Sequence, residues 1–335
     1  MPKVSVLLPV KDGAPFLEAC LASLAGQTLA DHEIIAVDDG STDGSREILE
    51  RCARADPRLL VLENPGLGVV DALNAALAAA AGPFAARMDG DDVAHPERLA
   101  AQVERLEADP RVAILGCRVR LVGGLPRGNA GMRAYVAWIN TLMDHDAIVR
   151  DLWVESPLAH PSVMMRAEAV RRLGGYRVFH GPEDYDLWLR AHAAGLRFGK
   201  CPGVLLDWRD SAGRLSRTDP RYSLGSFRAL KIEALLGDFL AGERPIVIWG
   251  AGPIGKAWSR ELTAAGRPAA AFVEVDPNKI GHAIHGAPVL PVGRAASVEG
   301  ALHLAAVSGA AARERIRSEA GRLGLVDGKD FLAVA

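Results

Sequence analysis

Residues Glu33 through Ser45 read EIIAVDDGSTDGS. The aliphatic run Ile34-Ile35-Ala36-Val37 is short, and it breaks into a turn of Asp, Gly, Ser and Thr. That pattern predicts a buried strand whose carboxyl end carries two adjacent acids, Asp38 and Asp39. Upstream, Val4–Leu8 predicts another buried strand, followed by a helix with Phe16, Cys20, Leu21 and Leu24 on one face. Downstream, a helix carrying Ile48, Leu49 and Cys52 leads to a strand at Leu59–Leu62. A helix from Leu67 to Ala80 then leads to a strand at Phe84–Met88, and Pro96 suits the first turn of the next helix. Strands alternating with helices imply right-handed βαβ units and a mostly parallel sheet, so the fold class is α/β.

The chain has 335 residues, enough for two domains. With 41 acids against 39 Lys plus Arg, bulk charge gives no hold on nucleic acid. Four scattered cysteines (Cys20, Cys52, Cys117, Cys201) with no CxxC spacing suggest buried free thiols in a reducing compartment. No apolar segment is long enough for a signal peptide. The low-polarity stretch Val69–Ala86 is interrupted by Asp71, Asn74 and Gly82-Pro83, which argues against a membrane span. A cytoplasmic protein is expected, one able to work at the inner face of a membrane.

Ligands gather at the carboxyl ends of strands in an open parallel sheet. Two acidic turns occupy such ends: Asp38-Asp39, and Asp89-Gly90-Asp91-Asp92 after Met88. In an extended segment the side chains at i and i+2 share a face, so Asp89 and Asp91 point toward one ligand. Crowded carboxylates repel unless a cation lies between them, and a hard ion such as Mg²⁺ or Mn²⁺ prefers these oxygens. Taken singly, each turn also reads as an ordinary solvated loop. An EF-hand fits poorly, because glycine falls second and the twelfth position is Ala100 rather than Glu.

Together with Ser5–Val10, His160-Pro161-Ser162-Val163, Leu173-Gly174-Gly175-Tyr176, Glu183-Asp184-Tyr185-Asp186-Leu187-Trp188 and Trp208-Arg209-Asp210, these turns make residues 1 to 220 resemble an inverting glycosyltransferase of family 2, with the GT-A nucleotide-diphospho-sugar transferase fold. The resemblance implies that Pro9, Val10, Asp38 and Asp39 line a nucleotide pocket, with Asp39 accepting from the base. It also implies that Asp89 reaches the ribose or the metal, and that Asp91 ligates Mn²⁺ or Mg²⁺ on the diphosphate. Of the Glu183-Asp184 pair, the resemblance implies Asp184 as the general base and Glu183 as its support. Arg209, Arg214 and Arg217 are candidate diphosphate contacts, since guanidinium binds phosphate oxygens bidentately. Two departures stand out: Lys11-Asp12 where many relatives have Asn, and Asp210 where many have His. His160 is a candidate near the acceptor, Trp153 and Tyr185 candidates for sugar stacking, and Trp188 a core residue. The implied partners are a nucleotide-sugar donor, UDP-linked, and a glycan or lipid-linked acceptor, with peripheral membrane association allowed.

A helical linker, 226–244, separates the transferase domain (1–225) from a smaller α/β domain (245–335). There Ile246-Val247-Ile248-Trp249 is followed by Gly250, Gly252 and Gly255 in GxGxxG spacing, with Glu274 and Asp276 at the distance of a ribose contact. This domain resembles the Rossmann-like appendages of polysaccharide-biosynthesis proteins. It is read as a structural or oligomerising module, a nucleotide-binding module, or, least of all, an NAD(P) site. The competing readings for the whole chain are a catalytically inactive nucleotide-sugar-binding assembly protein and an NAD(P)-dependent sugar oxidoreductase.

Overall fold

The computed structural model describes residues 1–123, 130–211 and 213–335, with the backbone alone for Leu215. The chain folds as two compact units, Met1–Ile148 with Pro157–Asp219, and Val149–Ser156 with Pro220–Ala335.

In chain order, the first unit contains β1 (Val4–Val10), α1 (Ala14–Ala25), β2 (His32–Asp38), α2 (Ser45–Ala55), β3 (Leu59–Glu63), α3 (Val69–Ala79), β4 (Phe84–Arg87), β5 (Val93–Ala94), α4 (Arg98–Ala108), β6 (Val112–Gly123) and α5 (Ala130–Ile139). Helix α6 (His145–Asp151) follows, and the division between the units falls within it. Then come β7 (Met164–Arg166), α7 (Ala167–Arg172), α8 (Glu183–Ala193), β8 (Arg197–Asp210) and α9 (Leu215–Thr218). The eight strands form one sheet in the order β3-β2-β1-β4-β7-β6-β8-β5. Strands β3, β2, β1 and β4 run parallel, as does β8 beside β6; β7 lies antiparallel to both β4 and β6, and β5 antiparallel to β8. Val4, Val6 and Leu8 of β1 pack with Leu17, Leu24, Ile34, Leu49 and Phe84 in the core, each side chain contributing about 1.5–3 kcal/mol by leaving water.

One long strand departs from expectation. The region 154–222 reads from sequence as short irregular pieces, yet it holds the 14-residue β8. Pro202 and Gly203 hide it. They form an exposed irregularity between the pairs Cys117–Cys201 and Arg118–Val204, after which the ladder resumes.

The second unit contains α10 (Leu224–Gly237), β9 (Ile246–Trp249), α11 (Pro253–Ala264), β10 (Ala271–Glu274), β11 (Ala283–Ile284), β12 (Ala287–Pro291), β13 (Leu302–Ala305), α12 (Ala310–Arg322) and β14 (Phe331–Ala333). Its sheet order is β11-β12-β10-β9-β13-β14, parallel except for the β11–β12 hairpin. Residues 149–156 belong here although the sequence places them far upstream. Buried Lys231 on α10 donates to the carbonyls of Val154 (2.7 Å) and Val334 (3.1 Å), and Arg317 on α12 pairs with Asp151 at 2.5 Å. Among the described residues no helix is long and apolar enough to cross a membrane.

The glycines after β9 differ in what they avoid. A Cβ on Gly255 would lie 1.9 Å from the Gly250 carbonyl oxygen, whereas one on Gly252 meets nothing within 4 Å. Gly255→Ala is therefore expected to destabilise the chain by about 1–3 kcal/mol or more. Gly252→Ala should leave stability unchanged or raise it by up to about 1 kcal/mol. Thermal and urea denaturation of the two variants checks both.

Candidate active site

Three parallel strands end side by side. The register pairs Val10 with Asp38 and Leu7 with Arg87, so the residues after β1, β2 and β4 emerge on one edge of the sheet. Pairing carries on past the strands: the Asp39 N–H donates to the Val10 carbonyl at 2.8 Å, and the Met88 N–H to that of Leu7 at 3.1 Å. Gly90 packs over Leu17 and Val10, where a Cβ would lie 3.6 and 3.9 Å from their side chains. Val10 is buried beneath this turn and Pro9 half-buried.

The Asp39 carboxylate is held by two residues not picked out from sequence. Asn64 donates its amide at 2.6 Å, and the Gly68 N–H lies 3.0 and 3.1 Å from the two oxygens. Gly68 has φ +85°, a conformation that favours glycine. Asp38 is buried, accepts from the Ser41 N–H at 3.2 Å and lies 4.0 Å from Arg46. The loops after β1 and β2 brace each other. Asp12 accepts from the Thr42 N–H at 2.8 Å, while the N–H groups of Asp12, Gly13 and Ala14 donate to Ser41, Ser45 and Asp43 at 2.9–3.0 Å. Lys11 donates to the carbonyls of Asp39 (2.5 Å) and Gly40 (3.1 Å). The Lys11-Asp12 departure thus has a structural role: it locks the DGSTDGS loop.

After β4, one carboxylate oxygen from each of Asp89, Asp91 and Asp92 lies within 4.8 Å of the others. Asp92 joins the two acids expected from sequence. Burial, followed by the charge of Asp89, raises the Asp91 pKa to about 6, and burial with Asp89 and Asp91 raises that of Asp92 well above normal. Burial and the same three acids push up the Cys20 thiol, which makes it an inert packing group. One oxygen of Asp92 accepts from the Arg209 N–H at 2.7 Å; the other, Oδ2, is buried with no hydrogen-bond partner. A cluster of hard oxygens that includes one orphaned, buried acceptor fits a divalent cation.

Cations surround these acids. Buried Arg87 donates to Asp89 at 2.7 Å and to the Met88 carbonyl. Buried Arg98 donates to the Arg87 carbonyl at 2.7 Å and to Gln102 at 3.2 Å, and Gln102 in turn holds the Leu115 and Ser162 carbonyls at 3.0 and 2.9 Å. Arg209 donates to the Asp91 carbonyl at 2.9 Å and lies 4.4 Å over the Phe16 ring; Arg214 lies 4.3 Å over Trp208. Arg214 and Arg209 both lower the Asp91 pKa. Arg217 instead pairs with Asp210 at 2.6 Å.

Glu183 and Asp184 open α8, where acids suit the helix dipole. Glu183 is buried, with its carboxylate 3.6 Å from His160, whose other ring nitrogen lies 3.0 Å from the Tyr176 hydroxyl. Half-buried Asp184 accepts from the Tyr185 N–H at 2.7 Å. Two residues further along α8, Asp186 is buried between Arg177 and Arg190, the latter at 2.8 Å. Tyr176 is fixed through its backbone to Asn74 on α3, at 2.9 and 2.8 Å. Against its burial, the charges of Asp89, Tyr176 and Glu183 each favour the protonated Arg87 guanidinium. An arginine inside the apolar run Phe84–Met88 was the signal that could have revealed it. Trp153, Tyr185 and Trp188 are all buried. Trp153 and Tyr185 therefore offer no face for stacking a sugar: Trp153 packs edge-on to Phe239 in the second unit, and Tyr185 is fully enclosed.

The profile described as Glycosyl transferase family 2 matches residues 5–174. The putative glycosyltransferase EpsE of Bacillus subtilis is 30% identical over 258 residues, covering 73% of this chain and 88% of the relative. S. aureus TarS 1-349, solved with UDP-GlcNAc, superposes with a TM-score of 0.57 at 18% identity, covering 78% of this chain and 71% of that one. The mannosyltransferase PcManGT of Pyrobaculum calidifontis, solved with GDP-Man and Mn²⁺, does so with 0.51 at 25% identity, covering 72% and 64%. With its curled mixed sheet and acidic strand ends, the chain belongs to glycosyl transferase family 2 and has the GT-A fold.

Proposed function

We propose that this glycosyltransferase is metal-dependent and inverting, and that it moves a sugar from a nucleotide-diphosphate donor, UDP-linked, to a hydroxyl of a glycan or lipid-linked acceptor. The observation that carries this reading is the Asp89/Asp91/Asp92 cluster beside the Asp38–Asp39 turn, with the orphaned Asp92 oxygen inside it. Support for a nucleotide-sugar donor comes from PcManGT, whose structure holds GDP-Man and Mn²⁺.

In this reading Asp39, its carboxylate oriented by Asn64 and Gly68, accepts hydrogen bonds from the base. Asp89, Asp91 and Asp92 would hold Mn²⁺ or Mg²⁺, which when bound neutralises charge on the diphosphate. Arg209 and Arg214 add positive potential at the same place, where charge accumulates as the leaving group departs. Asp184 removes the proton from the acceptor hydroxyl while that oxygen attacks the anomeric carbon. The bond to the diphosphate breaks on the opposite face, which inverts the centre. Glu183, fixed by His160, orients the first turn of α8.

Asp184→Asn is expected to lower kcat by about 10²–10⁴-fold while leaving donor affinity unchanged within about twofold. Steady-state kinetics alongside donor calorimetry reads this out, and full activity in the variant removes Asp184 as base. Chelation by EDTA should abolish release of nucleoside diphosphate, and Mn²⁺ or Mg²⁺ should restore it. In Asp92→Asn the metal concentration for half-maximal rate should rise at least about tenfold, the range expected when one ligand is weakened. Indifference to EDTA would rule out the metal-dependent mechanism.

A further inference from the structure

Two sequence motifs take no part in the proposed chemistry. In the second unit, the acids near the glycine-rich loop are engaged within the fold: Glu274 accepts from the Ala251 and Val275 N–H groups, and Asp276 from the backbone and side chain of Asn278. In the first unit, Leu173-Gly174-Gly175-Tyr176 lies between α7 and α8, and its contacts lead toward Asp39 on one side and Glu183 on the other.

The first of these routes runs along α3. That helix begins directly after Gly68, whose N–H lies 3.0 and 3.1 Å from the Asp39 carboxylate oxygens. Asn64, the other donor to Asp39, also bonds the Gly68 carbonyl at 3.1 Å. Asp71 in the first turn accepts from the Leu67 N–H at 2.9 Å, which ties the helix to the loop that holds Asp39. At the far end, Arg171 of α7 donates to the carbonyls of Leu77 and Ala80 at 3.1 and 2.5 Å. Buried Val70, Leu73 and Leu77 lie between these anchors, so α3 is held at both ends and along its length.

From the middle of this strut Asn74 reaches the chain before α8. Its amide nitrogen donates to the Tyr176 carbonyl at 2.8 Å, and its oxygen accepts the Tyr176 N–H at 2.9 Å. Only glycine fits beside this contact: Gly175 has φ +69°, and a Cβ there would lie 2.5 Å from Asn74 Oδ1. Arg190 of α8 holds the same turn, donating to the carbonyls of Leu173 and Gly175 at 2.8 Å. The Tyr176 side chain is buried, and its hydroxyl lies 3.0 Å from His160 Nε2. Burial raises the Tyr176 pKa, so this hydroxyl keeps its proton. His160 Nδ1 lies 3.6 Å from Glu183, and its ring meets Trp188 edge-on at 6.0 Å. The imidazole therefore touches α8 at two points, one on either side of Asp184.

We infer that Asn74 is a positioning residue for the transfer: through Tyr176 and His160 it sets the first turn of α8, and with it Asp184, against the helix anchored at Asp39. The inference rests on the reading of Asp184 as the base. Base, acceptor oxygen and anomeric carbon must align, and a small misplacement costs much of the rate. Groups that bind the donor are outside this chain of contacts beyond its anchor at Asp39, so rate and donor affinity should separate.

The test follows release of nucleoside diphosphate by the full chain with Mn²⁺, from whichever of UDP-GlcNAc, UDP-Glc, UDP-Gal and GDP-Man the wild type turns over fastest. Tyr176→Phe, which keeps the ring and removes the hydroxyl, should lower kcat at least about tenfold, and so should Asn74→Ala. In both variants the affinity for that nucleoside diphosphate, read by calorimetry, should stay within about twofold of wild type. The double variant should lose no more than the larger single loss, because Asn74 has nothing to transmit once the hydroxyl is gone. Losses that multiply, a wild-type kcat in Tyr176→Phe, or an affinity that falls together with kcat would each overturn the inference. If Asn74→Ala does not fold, Asn74→Asp, which loses only the donor to Tyr176, takes its place in the cycle. Asp184→Asn separates this inference from the reading beneath it. Full activity there removes the base and the positioning role together, whereas an inactive Asp184→Asn beside a fully active Tyr176→Phe overturns the positioning role alone.

Discussion

Three carboxylates held within 4.8 Å of one another at the end of a buried strand repel, and most of the first unit is arranged to tolerate that repulsion. Bringing Asp92 and most of Asp91 out of water raises the cost of their charge. Arg87 meets Asp89 from below, while Arg209 and Arg214 approach from β8 and the loop after it. Those cations offset part of the repulsion but leave Asp92 Oδ2 without a donor. A buried carboxylate oxygen with no donor among three crowded acids is what a divalent cation would satisfy.

The arginines that balance the cluster are held just as firmly. Arg209 and Arg214 lie on the rings of Phe16 and Trp208, so neither pays the full rotamer entropy of a long side chain when a ligand arrives. Arg98 and Gln102 use a buried polar network to fix the carbonyls of β4, β6 and the turn at His160–Ser162. That network joins the strand bearing the acid cluster to the segment bearing His160. Through His160, which meets both Tyr176 and Glu183, it extends to the start of α8. The acid cluster after β4 and the start of α8 are thereby joined through one polar network.

The second unit follows a different logic. Gly250 and Gly255 resolve steric conflicts inside it, whereas a Cβ at Gly252 would meet nothing within 4 Å. Lys231 and Arg317 show how the unit was completed: buried cations capture carbonyl and carboxylate groups of residues 149–156, drawn from the middle of the chain. Burial lowers the Lys231 pKa to about 8, and the two carbonyls offset part of the cost of desolvating its ammonium.

Local chemistry makes much of this legible in the sequence. Alternating apolar runs and helical periodicities predict the α/β order, acid-rich turns after strands predict where ligands gather, and Glu183-Asp184 after Gly181-Pro182 predicts a helix start. These are short-range signals, each carried by a few neighbouring residues. Other features depend on pairs distant in the chain. The antiparallel β7, the long β8 hidden by Pro202-Gly203, the burial of Trp153 and Tyr185, and the docking of residues 149–156 are set by non-local packing. Asn64 and Gly68 at Asp39, Asp92 as the third acid, and Arg87 at Asp89 belong to this group as well. By itself the sequence determined the types of element and the acids at their ends, because backbone preference and side-chain period act locally. Which groups face one another, and which oxygen is left without a partner, only the tertiary structure decided, because burial and Coulomb forces act through space.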